Sequence, residues 1–495
     1  MKVWMNTEEF SYEIEALVKA FLPEEKIEFV KDVPEEDEHA DDAKEAGTNE
    51  TRVIEIRQDK EQLSITIKDN EKSYRKEDCY ENMDRRTRKD QLKRLLYKTL
   101  SEYMGHGLPW GTLTGVRPTK LSMELLEQGK TMEETCESMK KLYYCSEEKS
   151  ALAAKIADRE LTLLHEMDYK NGYSLYIGIP FCPTTCLYCS FTSFPIQKNA
   201  ALVEPYLQAL YRELEAVKNL MGDRKLTTVY IGGGTPTAIS AEQLGDLIEH
   251  IKAYYPVEES CEFTVEAGRP DSVTREKLQV LKEQGVTRIS INPQTMNQKT
   301  LDLIGRRHTV EEVKDAFFLA RDCGHDNINM DLIVGLPGES TEDVERTLEA
   351  LKNLDPDSIT IHSLVTKRAA NLNIYKEQYG DLVYGDVDEM LRAGEAYARA
   401  NRYEPYYLYR QKSASLSGTA QRENIGYARP GKEGLYNILI MEEKQTIIAC
   451  GAGSSTKRLF ADGRIDRCEN VKNVAIYIEK IEEMIERKKI LFAKP

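Results

Sequence analysis

Apolar and polar residues follow one another in two different rhythms along the chain, and the change falls near Tyr173. Before it, a helical segment close to the N-terminus is followed by strand-like alternation in "TRVIEIRQD" and "QLSITIKD", and further helices lead to about Lys170. This mixture predicts an α+β N-terminal domain, residues 1–168. Within this domain, the segment from about residue 33 to residue 50 is rich in acidic residues and lacks large apolar side chains, which predicts a solvated loop.

After Tyr173, short apolar runs alternate with amphipathic helical runs. The strand-like runs are "SLYIGIPF", "TTVYIGGGT", "EFTVEA", "RISINPQT", "NINMDLIVGL" and "SITIHSL". Nearly continuous apolar strands alternating with helices predict a parallel sheet covered by helices. Six repeats predict an α/β core, a partial (β/α)6 barrel of the TIM type over residues 169–368. The pattern then changes to helices and a hairpin, which predicts a C-terminal α+β subdomain, residues 369–495.

Charge and cysteine content narrow the class of protein. The net charge is -16, so a nucleic-acid partner is not expected, because a polyanion would be repelled. No run of about 18 apolar residues occurs, and the first residues form no long apolar segment, so we expect no membrane span and a soluble, cytoplasmic protein. In that compartment the ten cysteines are expected to be thiols or metal ligands rather than disulfides.

Three cysteines lie within eight residues in the loop that leaves the first barrel strand: Cys182, Cys186 and Cys189. A structural zinc site ordinarily takes a fourth ligand from a second cysteine pair or a histidine, and none is close in sequence, so zinc would need an outside ligand. A redox dithiol would use only the last two cysteines. Plain burial of three thiols is the remaining ordinary explanation. Three thiolates on one loop suit three corners of a [4Fe–4S] cluster with one open iron, and we favour this interpretation.

Unusual polar residues also end the later strands. "GGGTPT" ends the second strand, Glu266 ends the third, and Gln294, Arg306 and Asp331 end or follow later ones. Each alone has an ordinary explanation, such as a tight turn or an exposed acid. Together they lie where parallel barrels and open parallel sheets carry their chemistry, at the carboxyl ends of the strands.

These motifs resemble a known family. The cysteine loop resembles the signature of the radical S-adenosylmethionine (SAM) superfamily. The blocks "YIGIPFCPTTCLYC", "GGGTPT", "IGRRH" and "NMDLIVGLPGES" resemble oxygen-independent coproporphyrinogen III oxidases (dehydrogenases), and "WGTLTGVRPTKL" and "YEPYYLYRQK" resemble their HemZ-type subgroup. The resemblance implies a radical SAM oxidoreductase whose cofactors are a [4Fe–4S] cluster and SAM, with SAM chelating the open iron.

The same resemblance implies residue roles. Cys182, Cys186 and Cys189 would hold the cluster. Tyr176 and Tyr188 would pack around SAM, and Gly233, Gly234 and Thr235 would bind its methionine end. The ribose, carboxylate and neighbouring groups would be bound by Glu266, Gln294, Arg306 and Asp331.

The implied reaction converts two propionates of coproporphyrinogen III into vinyl groups, giving protoporphyrinogen IX in heme biosynthesis. A reductant such as flavodoxin or ferredoxin is the implied partner. A tetrapyrrole substrate with four carboxylates needs cationic contacts within an acidic protein. The candidates in this sequence are Arg117, Lys120, Lys367, Arg368 and Arg410.

Two departures from the family pattern leave alternatives open. Phe191 stands where the well-studied oxidases have a fourth cysteine, and Asn292–Pro293 replaces a Gly-Val pair. Heme-carrier relatives also lack that cysteine, so one alternative is a heme-binding chaperone of the same fold, with His362 as a conceivable axial ligand. Against it, the chain has no His-Asn-x-x-Tyr-Trp block. The other alternative is a different radical SAM reaction on a tetrapyrrole, such as anaerobic opening of heme.

Overall fold

The structure is a computed structural model that describes residues 1–23, 25–31, 52–69, 72–80, 84–365, 385–411 and 422–494. The chain forms two compact units, one from Met1 to Lys155 and one that begins at Ile156. The predicted acidic loop at about 33–50 lies outside the described residues, and the three-part division of the chain stays a prediction.

The N-terminal unit is an α+β structure. In chain order its elements are β1 (Lys2–Met5), α1 (Ser11–Phe21), β2 (Glu28–Val30), β3 (Val53–Gln58), β4 (Gln62–Lys68), β5 (Ser73–Cys79), α2 (Arg85–Met104), α3 (Thr119–Glu127), α4 (Met132–Tyr143) and α5 (Glu147–Glu166), the last of which continues past Lys155. The strands lie in the order β2-β1-β3-β4-β5. The two alternating segments form strands that pair with each other: β3 and β4 are antiparallel, with Ile54 opposite Ile67.

The second unit contains the predicted repeats. Its elements up to the last repeat are β6 (Gly172–Ile179), β7 (Phe181–Cys182), β8 (Phe194–Pro195), α6 (Ile196–Val217), β9 (Lys225–Gly233), α7 (Ala241–Tyr254), β10 (Glu262–Gly268), α8 (Arg275–Glu283), β11 (Arg288–Ile291), α9 (Gln298–Leu303), α10 (Val310–Asp322), β12 (Ile328–Val334), α11 (Thr341–Leu354) and β13 (Ser358–Ser363). They are followed by α12 (Val387–Ala400), β14 (Glu404–Arg410), β15 (Glu423–Ala428), α13 (Leu435–Met441), β16 (Thr446–Cys450), β17 (Ser455–Leu459), β18 (Ile465–Glu469), α14 (Val474–Glu479) and α15 (Ile481–Ala493).

The six predicted barrel strands lie side by side and parallel, in the order β13-β12-β11-β10-β9-β6. This confirms the predicted α/β core. Register pairs Tyr176 with Tyr230 and Asp331 with Thr360, so each pair shares one face of the sheet. Ile361 points the other way, because a Cβ added to Gly394 of α12 would lie 2.4 Å from its methyl group. The polar residues therefore line the inner face, opposite the covering helices.

C-terminal strands extend both edges of this core. At one edge β13 pairs with antiparallel β15, which pairs with β14; at the other, β6 pairs in parallel with β16, followed by β17 and β18. Antiparallel β17 and β18 supply a hairpin in this part of the chain. The apolar run Leu435–Met441 forms a helix, and its Tyr436 packs inward.

Capped helix N-termini define the ends of the loops that follow the carboxyl ends of the strands. Ser240, Thr309 and Ser340 begin α7, α10 and α11 with capping boxes, in which the cap side chain and the third helical residue bond each other's backbone amides. Such caps fix where each loop ends and the helix begins.

None of the helices formed by the described residues combines the length and apolar content that a bilayer span requires.

Candidate active site

The cysteine loop is held at its ends and in its middle. Short strands β7 and β8 pair, with Cys182 opposite Pro195, and close the loop at its base. In the middle, the Leu187 amide donates to the Ile304 carbonyl at 2.9 Å, and the Thr184 hydroxyl donates to the Gly305 carbonyl at 3.2 Å. The loop is therefore fixed to the segment that follows α9.

The three thiols differ in their surroundings. Cys182 and Cys186 are buried and Cys189 is half-buried. Burial raises the pKa of Cys182 to about 12, although the Thr235 hydroxyl donates to its sulfur at 3.5 Å and works against that rise. Among the described residues, no three His, Cys, Asp or Glu side chains are grouped closely enough to hold a single metal ion. The interpretation as a cluster site depends on the spacing of the thiols and on the family.

A glycine turn after β9 presses its backbone against the first cysteine. The amides of Gly234 and Thr235 donate to the carbonyls of Ile179 and Phe181 at 2.7 and 2.8 Å. A Cβ added to Gly234 would lie 2.9 Å from the Cys182 sulfur and 2.7 Å from the Phe181 carbonyl, closer than real contacts allow. Only glycine leaves this space, so the turn fits beside a cofactor held by that cysteine.

Two buried arginines approach the second cysteine. The Arg269 Nη1 group lies 3.8 Å from the Cys186 sulfur, and Arg306 also bonds that thiol. Arg306 donates to the carbonyls of Asn292 and Pro293, at 3.0 Å to Pro293. The unusual Asn-Pro pair therefore supplies backbone acceptors that hold this arginine in place.

Glu266 lies where β10 changes register. The pairing with β11 shifts between Glu266 and Gly268, and such bulges often re-aim a side chain near a functional site. The Tyr230 hydroxyl donates to the Glu266 carboxyl at 2.5 Å. Burial, together with the nearby charge of Asp331, raises the pKa of Glu266 to about 7 despite that bond. In its ionised form this carboxyl can accept hydrogen bonds from the hydroxyl groups of a sugar.

Asp331 stands on the same inner face and stays ionised more easily. Burial opposes its charge, but bonds from His362, Asn329 and Thr360 together hold the pKa of Asp331 below its usual value. The Asn329 amide donates to it at 2.7 Å, and His362 lies 3.8 Å away. Gln294 bridges to Leu332 of β12; it has a φ of 66°, and its buried Oε1 has no hydrogen-bond partner among the described residues.

Three tyrosines form a stack beside Glu266. Tyr230 stacks on Tyr436 of α13 with ring centroids 4.5 Å apart, and Tyr176 lies 6.1 Å from the first and 6.2 Å from the second. Tyr436 comes from the C-terminal part of the chain, so residues about 260 apart in sequence build one aromatic wall. An aromatic wall next to a carboxyl suits a ligand with a cationic or aromatic group.

The predicted site residues occupy the carboxyl side of successive strands, in two groups. Cys182, Cys186, Cys189, Tyr188, Gly233, Gly234, Thr235 and Arg306 surround the cysteine loop, and Tyr176, Glu266 and Asp331 follow along the inner face, while the backbone of Gln294 bridges to Leu332 of β12. Their individual roles stay predictions. Phe191, the residue in place of a fourth cysteine, is 72% exposed.

The candidate propionate contacts belong to different parts of the chain. Arg117 and Lys120 lie in the N-terminal unit, where Lys120 is 4.0 Å from Glu124 on α3. Arg410 ends β14. Lys367 and Arg368 lie outside the described residues. The structure therefore leaves the recognition of substrate carboxylates as a prediction.

Sequence reasoning missed several residues of the site. Arg269, Asp271, His308, Tyr230 and Tyr436 all touch residues of the two groups or their direct partners. The sequence shows only that "RPD" directly follows β10, because the burial of Arg269 and its pairing with Asp271 are features of the tertiary structure.

Comparisons with known proteins agree on the class. Residues 176–351 match the family model described as the radical SAM superfamily. Over 405 residues the chain is 41% identical to a Bacillus subtilis protein named oxygen-independent coproporphyrinogen-III oxidase-like protein HemZ. The aligned region covers 81% of this chain and 80% of that protein. Over 313 residues it is 34% identical to the heme chaperone HemW of Bacillus subtilis, covering 63% of this chain and 76% of that one.

A solved structure shares the fold. The coproporphyrinogen III oxidase HemN from Escherichia coli, described as a radical SAM enzyme, superposes with a TM-score of 0.52 at 21% identity, over 66% of this chain and 73% of that chain. The chain belongs to the radical SAM superfamily and, within it, to the family of oxygen-independent coproporphyrinogen-III oxidase-like proteins. The cofactors of this superfamily are a [4Fe–4S] cluster and SAM.

Proposed function

We propose that this protein is an oxidoreductase that converts coproporphyrinogen III to protoporphyrinogen IX without oxygen, in heme biosynthesis. The observation that carries the proposal is the 41% identity to the HemZ protein across four fifths of both chains, because it extends beyond the radical SAM core. The site supports it, because three cysteines, a close glycine turn and a half-buried carboxyl lie towards the carboxyl ends of neighbouring parallel strands.

Each group of residues has a task in this proposal. Cys182, Cys186 and Cys189 hold the cluster, and the glycine turn gives the methionine end of SAM room to approach it. Glu266 accepts hydrogen bonds from the ribose hydroxyls of SAM, and Tyr176 packs beside SAM. When bound and reduced, the cluster and SAM supply a 5′-deoxyadenosyl radical.

The chain's own contribution is to orient the propionate and to exclude water. Per propionate, the β-carbon loses a hydrogen atom, the carboxyl leaves as carbon dioxide, and one electron passes to an acceptor. A buried apolar cluster packs against the cysteine loop and would exclude water from that side. It consists of Leu187, Ile304, Ile333 and Leu336. A reductant of the flavodoxin or ferredoxin class would supply the electron that starts turnover.

The direct test is an anaerobic assay of the reconstituted protein with SAM, a reductant and coproporphyrinogen III. We expect carbon dioxide and protoporphyrinogen IX, measured by mass spectrometry of all products. C182A, C186A and C189A should each lose cluster iron and activity, whereas C79A and C261A, at exposed cysteines outside the loop, should keep both. SAM cleavage without a porphyrinogen product would refute the proposed substrate.

A second candidate is a heme chaperone of the same fold. Two observations favour it: the 34% identity to HemW and the exposed Phe191 at the position of the fourth cysteine. Stable stoichiometric binding of heme, without formation of 5′-deoxyadenosine from SAM, would select this candidate over the oxidase. A changed heme mass after turnover would instead indicate that the protein opens the heme ring.

A further inference from the structure

Arg269 joins the cysteine loop to the end of the third barrel strand. Its side chain is 97% buried, and its Nη1 group donates to the Thr184 hydroxyl at 2.6 Å and to the Thr184 carbonyl at 3.2 Å. The same nitrogen lies 3.8 Å from the Cys186 sulfur, within hydrogen-bond distance for sulfur. One guanidinium therefore fixes the backbone between two cysteines and also donates to a thiol.

The other side of this guanidinium is occupied by an acid. Arg269 donates to both carboxylate oxygens of Asp271, at 2.9 and 2.6 Å. This two-point pairing fixes the plane and direction of the guanidinium, since the fork of donors matches a carboxylate. Its remaining donors therefore point at the cysteine loop.

A buried histidine lies behind the pair. The His308 Nδ1 atom is 4.0 Å from Asp271, and within the described part of the chain neither ring nitrogen has a hydrogen-bond partner. Burial and the charge of Arg306 lower the pKa of His308 to about 3, so the ring is neutral at physiological pH. The neutral ring does not compete with Arg269 for Asp271, and the second guanidinium near Cys186 is that of Arg306.

We propose that Arg269 is a positioning residue that raises the reduction potential of the cluster by donating to Cys186. The inference rests on the proposal that Cys186 ligates the cluster, but it does not depend on the tetrapyrrole. Hydrogen bonds to ligand sulfurs and nearby positive charge favour the reduced cluster, which carries one more negative charge. In an acidic protein, a buried cation at this point makes the reduction easier for a weak biological donor.

The test is an anaerobic redox titration of the reconstituted protein, followed by electron paramagnetic resonance, without SAM or tetrapyrrole. R269Q should lower the equilibrium constant for one-electron reduction by tenfold or more, a shift of about 59 mV to lower potential. R269K keeps the charge but cannot reach Thr184 and Asp271 together, so it should shift the potential in the same direction by less.

R321Q is the matched control, because Arg321 of α10 also bonds an aspartate, Asp357 at 2.7 Å, before the start of β13 and away from the cysteine loop. Its potential should equal that of the wild type. R269Q with full iron content and an unchanged potential would overturn the proposal. If R269Q binds no iron, the reduction potential of R269K is compared with that of the wild type instead. An unchanged potential in R269K at full iron content would then overturn the proposal. Full iron content in C186A would instead show that the assignment of the cluster ligand is wrong.

Discussion

The Tyr230 hydroxyl donates a 2.5 Å hydrogen bond to Glu266, and this bond limits how far burial raises the pKa of the carboxyl. With a pKa of about 7, Glu266 is divided between its ionised and protonated forms at neutral pH. The proposed contact with the SAM ribose requires the ionised form, which accepts hydrogen bonds from two hydroxyls.

Y230F should make SAM binding weaker at neutral pH and move its pH dependence to higher pH. The substitution removes a bond to the ionised carboxylate, so the pKa of Glu266 rises further. The measurement is the dissociation constant of SAM between pH 6 and 9 on cluster-loaded protein. Tyr255 is a suitable control, because its buried hydroxyl bonds the Leu214 carbonyl instead, and Y255F should keep the wild-type profile.

E266Q should stabilise the cofactor-free protein at high pH and not at low pH. The pKa of Glu266 is raised from 4.5 to about 7, so folding takes up a proton in this window and wild-type stability falls as pH rises from about 4.5 to 7. Glutamine removes this penalty, which reaches about 3 kcal/mol at most above pH 7. Urea unfolding at pH 5 and pH 8 measures it; an equal difference at both would contradict the assigned pKa.

G234A should prevent the cluster site from forming while the rest of the chain still folds. The added methyl group would collide with the Cys182 sulfur and with the carbonyls of Phe181 and Ile179, all under 3 Å away. Iron and sulfide per chain after anaerobic reconstitution give the readout, with circular dichroism to check the fold.

G245A provides the comparison for that experiment. Gly245 lies inside α7, and its added Cβ would meet the Val280 side chain at 3.4 Å. Alanine is favoured over glycine in a helix by up to about 1 kcal/mol, so this variant should load iron normally and unfold no earlier than the wild type. Normal iron content in G234A would refute the crowding argument.

K488M should destabilise the second unit by about 3–5 kcal/mol, because it leaves a buried charge without its partner. Lys488 of α15 and Glu213 of α6 are fully buried and 2.6 Å apart. Glu213 also accepts from Tyr477 and from the Gly451 amide. The midpoint of urea unfolding measures the loss, and the double variant E213Q/K488M should recover part of it. Full stability of K488M would mean that the neutral donors alone satisfy Glu213.

The alternation of apolar and polar residues along the chain was enough to predict the parallel core and the residues at its strand ends. The six parallel strands follow from apolar runs bounded by helices, and Glu266 and Asp331 follow from their position at strand ends. The pairing of β16 with β6 did not, because Thr446 and Tyr173 lie far apart in sequence and no periodicity links them. The helical form of "YNILIM" does not follow from local pattern either, since a short apolar run fits a strand or a buried helix.

The site shows the same division. The three cysteines and "GGGTPT" could be recognised because spacing and composition carry the information. Arg269 could not be separated from an ordinary surface cation, because its role arises from burial and from a contact with Thr184 across 85 positions. Tyr436 reaches the stack only because α13 packs on the inner face, which tertiary structure decides.

The position of β16 also sets an order of events during synthesis. When the ribosome has completed β13, all six parallel strands and all three clustered cysteines exist, but the strand that leads into the cysteine loop still has one unpaired edge. That edge closes only after Cys450 has emerged, some 260 residues after Cys189. The sheet is therefore complete beside the cysteine loop only after most of the chain has been made, and until then the strand that leads into this loop presents an open edge.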